Sequence, residues 1–323
     1  MFLSGKATPL RIWNAVACFL SYFLKRSISA KSPLLINFEL WNECNESCVF
    51  CRSETNVIYD TNPHASGALI PKGKLPLEVY QKVLDEVGDR LMMAIPYVNG
   101  EPLMSRDIYA AIKYAADKRI LTLIASNGIL LNEINSRRLL AAGLDCLKVQ
   151  ISGFTQPIHS IEHRRGDVEL IKRNIQTFVR LRREMGKKTI LVLDYIRYRH
   201  NEHELELARE FARQNDILFN IRPGNPHGLE GEPPQLNGPL PTDLPCDWLW
   251  TILTVDWNGA VYPCCNYVVW SDGKPYGTAG KDMIRELWNG SMAQRMRNVH
   301  TKHGRTPIPI CAKCPQQGVK FKW

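Results

Sequence analysis

The stretch Leu34-Leu35-Ile36-Asn37-Phe38-Glu39-Leu40, then Trp41-Asn42-Glu43, then Cys44-Asn45-Glu46-Ser47-Cys48-Val49-Phe50-Cys51 is the part of this chain on which its reading turns. A short apolar run of strand type delivers three cysteines, spaced Cys-x-x-x-Cys-x-x-Cys, onto one loop. Soft thiolates so closely spaced can hold three irons of a [4Fe-4S] cube, leaving the fourth iron open to a small chelating ligand. A disulfide pair with a spare thiol, a zinc knuckle and unrelated core cysteines are the other readings. Zinc wants a fourth Cys or His close by, and the loop supplies none.

Downstream, apolar runs and amphipathic runs alternate. Leu91 to Val98, Ile120 to Ala125, Leu144 to Ile151, Thr189 to Ile196 and Ile217 to Ile221 read as buried strands. Helices are expected at Leu77 to Val87, Asp107 to Lys118, Asn132 to Ala142, Val168 to Met185 and Asn201 to Gln214. Near-continuous apolar strands separated by helices imply parallel strands covered on both faces. Counting the first, six such units predict an α/β fold, a partial (β/α)6 barrel over residues 34–225. Residues 226–245, rich in Gly, Pro and Asn, read as a linker, and residues 246–323 as a small α+β domain. There, Leu249 to Val255 and Ala260 to Pro263 flank Asn258-Gly259, a hairpin signal.

Ahead of the barrel, residues 1–33 hold a strongly apolar helix over residues 9–25, too short to span a bilayer comfortably and interrupted by Asn14 and Ser21. It fits either a helix packed on the domain's flank or an interfacial helix with Arg11, Lys25 and Arg26 at its rims. A signal peptide is the third reading, but export would carry an oxygen-labile loop into an oxidising compartment. The expectation is therefore a cytoplasmic protein, with peripheral contact at the inner membrane face as its extension.

The formal net charge is +9, from 41 Lys and Arg against 32 Asp and Glu. It favours an anionic substrate or surface, and no basic, aromatic-interleaved strip argues for nucleic acid. At 45% hydrophobic and 23% charged, the composition excludes both a disordered chain and a multi-span membrane protein. Of ten cysteines, Cys246, Cys264, Cys311 and Cys314 form a second set: four thiolates can close a cube with no open iron, and zinc would accept them too. Cys265 stands next to one of them, while Cys18 and Cys146 sit in apolar contexts suited to buried free thiols. His159, His163, His200 and His203 show no ligand spacing; the first two are expected in a loop, and all four read as structural or surface.

The three-cysteine loop resembles that of the radical S-adenosylmethionine (SAM) enzymes, and the second set resembles the twitch or SPASM appendage that carries an auxiliary [4Fe-4S] cluster. The likeness covers roughly residues 34 to 316. It implies that SAM chelates the open iron, is cleaved by an electron from a flavodoxin- or ferredoxin-type donor, and yields a 5'-deoxyadenosyl radical that removes a substrate hydrogen. Metal ligands would be Cys44, Cys48 and Cys51, with Cys246, Cys264, Cys311 and Cys314 at the auxiliary cluster. Phe50 would lie beside the adenine. Asn99-Gly100-Glu101-Pro102 resembles the Gly-Glu-Pro motif that holds the SAM amino group, and Ser126-Asn127-Gly128 the family's Thr-Asn-Gly, although a plain turn explains Asn-Gly equally well. Gln150 and Ser152 fall where relatives contact ribose or substrate, and Arg165 or Arg164 could pair with the SAM carboxylate. Cys265 would be a spare thiol or a catalytic hydrogen-atom donor. The leading expectation is oxidation or epimerisation of a sugar, aminocyclitol or lipid-linked glycan. A peptide or protein side-chain maturase is the first alternative, and a non-catalytic iron–sulfur electron carrier or redox sensor the second.

Overall fold

The computed structural model describes residues 5–48, 72–224, 244–265, 274–312 and 314. Phe50, Cys51, most of the connection from Arg52 to Lys74 and nearly all of the expected linker lie outside them.

The first helix, α1 (Pro9–Phe23), starts on Thr8, whose side chain accepts from the Arg11 amide, with proline in the first turn. Six parallel strands follow, β1 (Leu35–Phe38), β2 (Met93–Ile95), β3 (Leu121–Ser126), β4 (Cys146–Ile151), β5 (Ile190–Arg197) and β6 (Leu218–Pro223). Between them lie α2 (Leu77–Val87), α3 (Ile108–Asp117), α4 (Glu133–Ala142), α5 (Gln156–Glu162), α6 (Val168–Glu184) and α7 (Leu205–Gln214). The C-terminal part contributes α8 (Trp248–Thr251), β7 (Ile252–Val255), β8 (Ala260–Tyr262), β9 (Gly277–Thr278), α9 (Ile284–Trp288), α10 (Ser291–His303) and α11 (Pro309–Ala312).

The strands form one open sheet in the order β6-β5-β4-β3-β2-β1-β7-β8-β9. The expected barrel strands are all present and in chain order. β7 extends the arc, pairing parallel to β1 from Leu35↔Ile252 to Phe38↔Val255, and only then does the sheet turn antiparallel through β8 and β9. The core lies between sheet and helices: Leu147, Val149 and Ile151 of β4 meet Ile171, Ile175 and Phe178 of α6, all buried. By strand alternation the opposite face carries Lys148 and Gln150 of β4, Val192 and Asp194 of β5, and Asn220 and Arg222 of β6, which lie side by side in register. That polar inner face is the wall of the site.

Three local expectations change. The run Leu249 to Val255 is not one strand: its first half is α8, because Trp250 is drawn inward, its ring 5.5 Å from Tyr22 and its indole N–H donating to the Arg26 carbonyl. The helix expected from Asn201 begins instead as a 3-10 turn over Arg199–Glu204, where the buried Asn201 amide donates to the carbonyls of Ser152 and Ile196. His159 is not in a loop but on α5, fully buried, with His163 directly after the helix and also buried.

α1 is inside out relative to its hydrophobic pattern. Its buried face is Arg11, Asn14, Cys18, Ser21 and Tyr22, whereas Leu10, Ile12, Trp13, Val16, Leu20 and Phe23 are exposed. Arg11, expected at a rim, is 3% exposed and donates to the carbonyls of Gly88 and Lys118 and, by a very short contact, Arg119. Those carbonyls end α2 and α3, where helices leave acceptors without intrahelical partners, and a guanidinium with five donors satisfies several at once.

Candidate active site

The loops after β1, β2 and β3 are tied together by two buried carboxylates. Glu39, at the end of β1, accepts from the amides of Val98 (3.3 Å), Asn99 (2.6 Å) and Gly100 (3.3 Å), which fixes the turn after β2. Gly100 must be glycine here, since a Cβ would come within 1.9 Å of the Trp41 carbonyl oxygen. Glu101 follows; its amide donates to the Glu43 carbonyl at 2.9 Å, binding this turn to the cysteine loop. Its side chain, 2% exposed, accepts from the Ser126 hydroxyl (2.8 Å), the Asn127 amide (2.9 Å) and the Leu103 amide (3.1 Å), while Pro102 opens a 3-10 turn behind it. The Asn127 amide group in turn donates to the Asn45 side chain at 2.8 Å and lies 3.8 Å from the Cys44 sulfur. One chain of contacts thus runs from Ser126 through Glu101 and Asn127 to the cysteine loop.

Burial raises both carboxyls. Glu101 is pushed up to about 7 and Glu39 to about 8, against the opposing pull of their amide and hydroxyl donors. Glu39 therefore holds its proton more tightly folded than unfolded. The stability it lends is complete below the ordinary glutamate range and is lost as pH rises toward about 8. Glu39→Gln cannot titrate, so the margin in thermal unfolding of wild-type apoprotein over this variant should shrink between about pH 5 and about pH 8. A margin that stays flat or widens contradicts the raised carboxyl.

On the cysteine loop the Cys44 sulfur accepts from the Glu46 amide at 3.5 Å, and Cys48 is buried. Amide donors aimed at sulfur suit a cluster thiolate, so the described part of the loop fits an iron–sulfur cluster. Cys51 and Phe50 lie outside the described residues. Ser152 is buried at the end of β4 and its hydroxyl lies 3.0 Å from His163 Nε2. Gln150 stands on the inner face opposite Asp194. Arg165, in contrast, has φ 67° and is exposed; Arg164, whose carbonyl accepts from the Ser47 amide, is exposed too.

Sequence reasoning missed the polar set beyond Gln150. Asp194 is buried and accepts from Asn220 (2.5 Å) and from Arg222 (2.9 Å). Burial pushes up the Tyr97 hydroxyl, which lies within electrostatic reach of Arg222, Cys265 and Asp194. Cys265 lies one turn past β8. The signal was there: Asp194 interrupts the apolar run Leu191 to Ile196, and a charge in a buried parallel strand points to a barrel interior rather than to the helices.

At the second cysteine set, Cys246, Cys311 and Cys314 lie within electrostatic reach of one another. Cys264 follows β8 directly after Pro263. Burial pushes the Cys246 and Cys311 thiols up to about 12, partly offset by Arg305, so the fold by itself does not favour thiolates there. A bound metal cluster, which takes only the deprotonated ligand, supplies that stabilisation, and the donor set fits one.

Comparison with known proteins agrees with this arrangement. The profile of the Radical SAM superfamily matches residues 38–211, and one for an iron–sulfur cluster-binding domain, SPASM, matches residues 246–315. Among curated proteins the chain is 31% identical over 128 residues to the AdoMet-dependent heme synthase of Methanosarcina barkeri, covering 40% of this chain and 34% of that protein. It is 27% identical over 202 residues to the mycofactocin maturase MftC of Mycobacterium ulcerans, covering 61% and 49%. The chain thus spans between a third and a half of the length of these relatives. Among solved structures, Streptococcus suis SuiB bound to S-adenosylmethionine superposes with a TM-score of 0.67 at 13% identity, covering 92% of this chain and 75% of that one. BtrN in complex with AdoMet and 2-DOIA gives 0.53 at 16%, covering 87% and 92%. With these two profiles matched, the chain belongs to the radical SAM superfamily, as an enzyme with a SAM-binding [4Fe-4S] cluster and a C-terminal SPASM domain for an auxiliary iron–sulfur cluster.

Proposed function

We propose that this enzyme removes a hydrogen atom from a small polar substrate held on the inner face between Gln150, Asp194 and Arg222, and oxidises or epimerises it. Cys44, Cys48 and Cys51 hold the SAM cluster in this reading; Cys246, Cys264, Cys311 and Cys314 hold the auxiliary one. With both bound, the site supplies reductive cleavage of SAM and a second redox centre. The observation that carries the substrate class is the Arg222–Asp194–Asn220 array, set in register beside Gln150 on the wall of the barrel. A guanidinium and an amide suit hydroxyl or anionic groups, and the Asp194 carboxylate suits an amino group, as on a sugar, aminocyclitol or glycan. In this reading the residues of this chain orient that substrate, and the Cys265 thiol returns a hydrogen atom to it.

A peptide substrate is the second reading. It is favoured by the match to the MftC maturase, which extends over more of this chain than the match to the heme synthase. The test is anaerobic reconstitution with reductant and SAM, followed by panels of aminocyclitols, nucleotide sugars and short peptides, scoring each for stimulation of 5'-deoxyadenosine over the uncoupled rate. Stimulation by peptides alone would overturn the small-molecule reading, and no 5'-deoxyadenosine under any condition would leave an electron carrier. In D2O, an epimerised product gains one solvent deuterium through Cys265, and Cys265→Ser should lose that label; an oxidised product gains none.

The bare apolar face of α1 supports a peripheral contact with anionic lipid. Trp13 is 70% exposed among its apolar neighbours, Lys25, Arg26 and Lys31 are exposed at one end, and no acidic residue precedes Glu39. Among the described residues no helix is long and apolar enough to cross a membrane, which leaves the interface. Flotation should show binding to vesicles containing anionic lipid, weakened about tenfold or more when Trp13 and Leu20 are both changed to serine. Equal flotation of the double variant would remove the membrane from this account.

A further inference from the structure

Cys48 meets a buried polar cluster that the site as described leaves unused. Its sulfur lies 3.1 Å from Glu46 Oε2 and 3.4 Å from His163 Nδ1; His163 Nδ1 lies 2.9 Å from the same Oε2, and His163 Nε2 lies 3.0 Å from the Ser152 hydroxyl. Ser152, Glu46 and His163 are all buried. The segment that carries His163 is locked onto the cysteine loop by the Ser47 amide, which donates to the Arg164 carbonyl at 3.1 Å, and by Gly166, where a Cβ would press on His159 Nε2 at 2.7 Å and Glu46 Oε1 at 3.0 Å.

Glu46, His159 and His163 could be taken for a metal site. The two imidazoles stack at 4.4 Å with their planes only 8° apart, so their in-plane lone pairs run side by side and do not converge on one ion. His159 Nδ1 is moreover engaged by the Ser152 amide at 3.4 Å. The cluster has a different use, which follows from counting hydrogens. As a thiol, Cys48 donates to Glu46. As an iron ligand it has lost that proton, and sulfur and carboxylate become two acceptors facing each other in a buried place, an unfavourable contact. His163 Nδ1 lies against both. With its ring hydrogen on Nδ1 it donates to the pair, and Nε2, left as an acceptor, takes the Ser152 hydroxyl hydrogen.

We infer that His163 is a positioning residue for the SAM cluster: held in its Nδ1–H tautomer by Ser152, it shares its ring N–H between Glu46 and the Cys48 sulfur, offsets the contact between those two acceptors and raises the cluster's reduction potential. The inference rests on the assignment of Cys48 to that cluster. A donor to sulfur stabilises the additional negative charge of the reduced state, so its removal makes the cluster harder to reduce.

The test is an EPR-monitored redox titration of reconstituted full-length protein, following the cluster signal that added SAM perturbs. His163→Phe keeps a ring to stack on His159 but no N–H, and its midpoint should move to more negative potential at unchanged iron content. His163→Asn, which can place an amide N–H near the former Nδ1, should recover most of the shift, and Ser152→Ala, which frees the tautomer, should give a smaller shift of the same sign. A wild-type midpoint in the fully loaded Phe variant overturns the inference. If that variant loses iron at the loop instead, Ser152→Ala decides: a negative shift supports the inference and an unchanged midpoint overturns it. Wild-type protein with about eight irons that cleaves SAM keeps the enzyme reading intact even if every midpoint stays put, so the two failures are distinguishable.

Discussion

Replacing Cys48 with alanine is expected to abolish 5'-deoxyadenosine formation and to halve the iron, from about eight per chain to about four. The size of the effect follows from the geometry of ligation. Three cysteines on one loop are the minimum for a cube that keeps one iron open, so losing one removes the cluster rather than weakening it. The second cysteine set is separate in sequence and should keep its own cube, which is why the count should fall by half and not to zero. Cys18, buried in α1, provides the control: Cys18→Ala should leave iron content and SAM cleavage near wild type. Metal analysis and product chromatography on the same samples check both limbs. If Cys48→Ala still cleaves SAM, the loop is not the site of that chemistry. If the remaining metal is zinc rather than iron, the auxiliary centre cannot take electrons from a substrate radical.

What the sequence could and could not reveal divides by the range of the contacts involved. The cysteine loop stood out because its cysteines are close neighbours in the chain, and the turn at Glu101 because a turn after a strand announces itself locally. Glu39 was not. It is an acid at the end of an apolar strand, and its meaning lies in three amides roughly sixty residues away. Asp194 with Arg222, and Glu46 with His163, are of the same kind: each pair is assembled by the sheet, not by spacing. The parallel pairing of β7 with β1 was equally hidden, since an apolar strand does not encode its neighbour. The opposite failure is α1, where the local signal was strong and misleading. Its apolar stripe faces out because the open carbonyls of α2 and α3 require Arg11, and Asn14 binds the Ser32 carbonyl, on the inner side. Satisfying buried acceptors outweighed burying six apolar side chains, some of which remain available to a lipid surface.

Glu101→Gln tests whether the contacts that link the strand-end loops to the cysteine loop matter to catalysis, and its expected result is a loss of about 30- to 150-fold in kcat/KM for SAM cleavage, equal to about 2–3 kcal/mol. The substitution changes almost no volume, so it asks about hydrogens alone. In the wild type one carboxylate oxygen accepts from both Ser126 Oγ and the Leu103 amide, and the other from the Asn127 amide. A glutamine can place its carbonyl toward the first pair, but its NH2 then faces the Asn127 N–H, donor against donor, in a place that excludes water. Turning the amide over exchanges that conflict for one with the Leu103 N–H and forces the Ser126 hydroxyl to turn away. Either way Asn127 must shift, and its side chain is the one that bonds Asn45 and approaches Cys44. Positioning of SAM on the open iron should therefore suffer more than folding does. Glu101 is held near its protonated range, which a neutral amide imitates, so the melting temperature should fall by only a few degrees while activity falls by orders of magnitude. Steady-state kinetics and thermal unfolding of the loaded protein separate the two effects. Activity within twofold of wild type would mean that Glu101 only shapes the fold, and a melting temperature that drops in step with activity would mean the same.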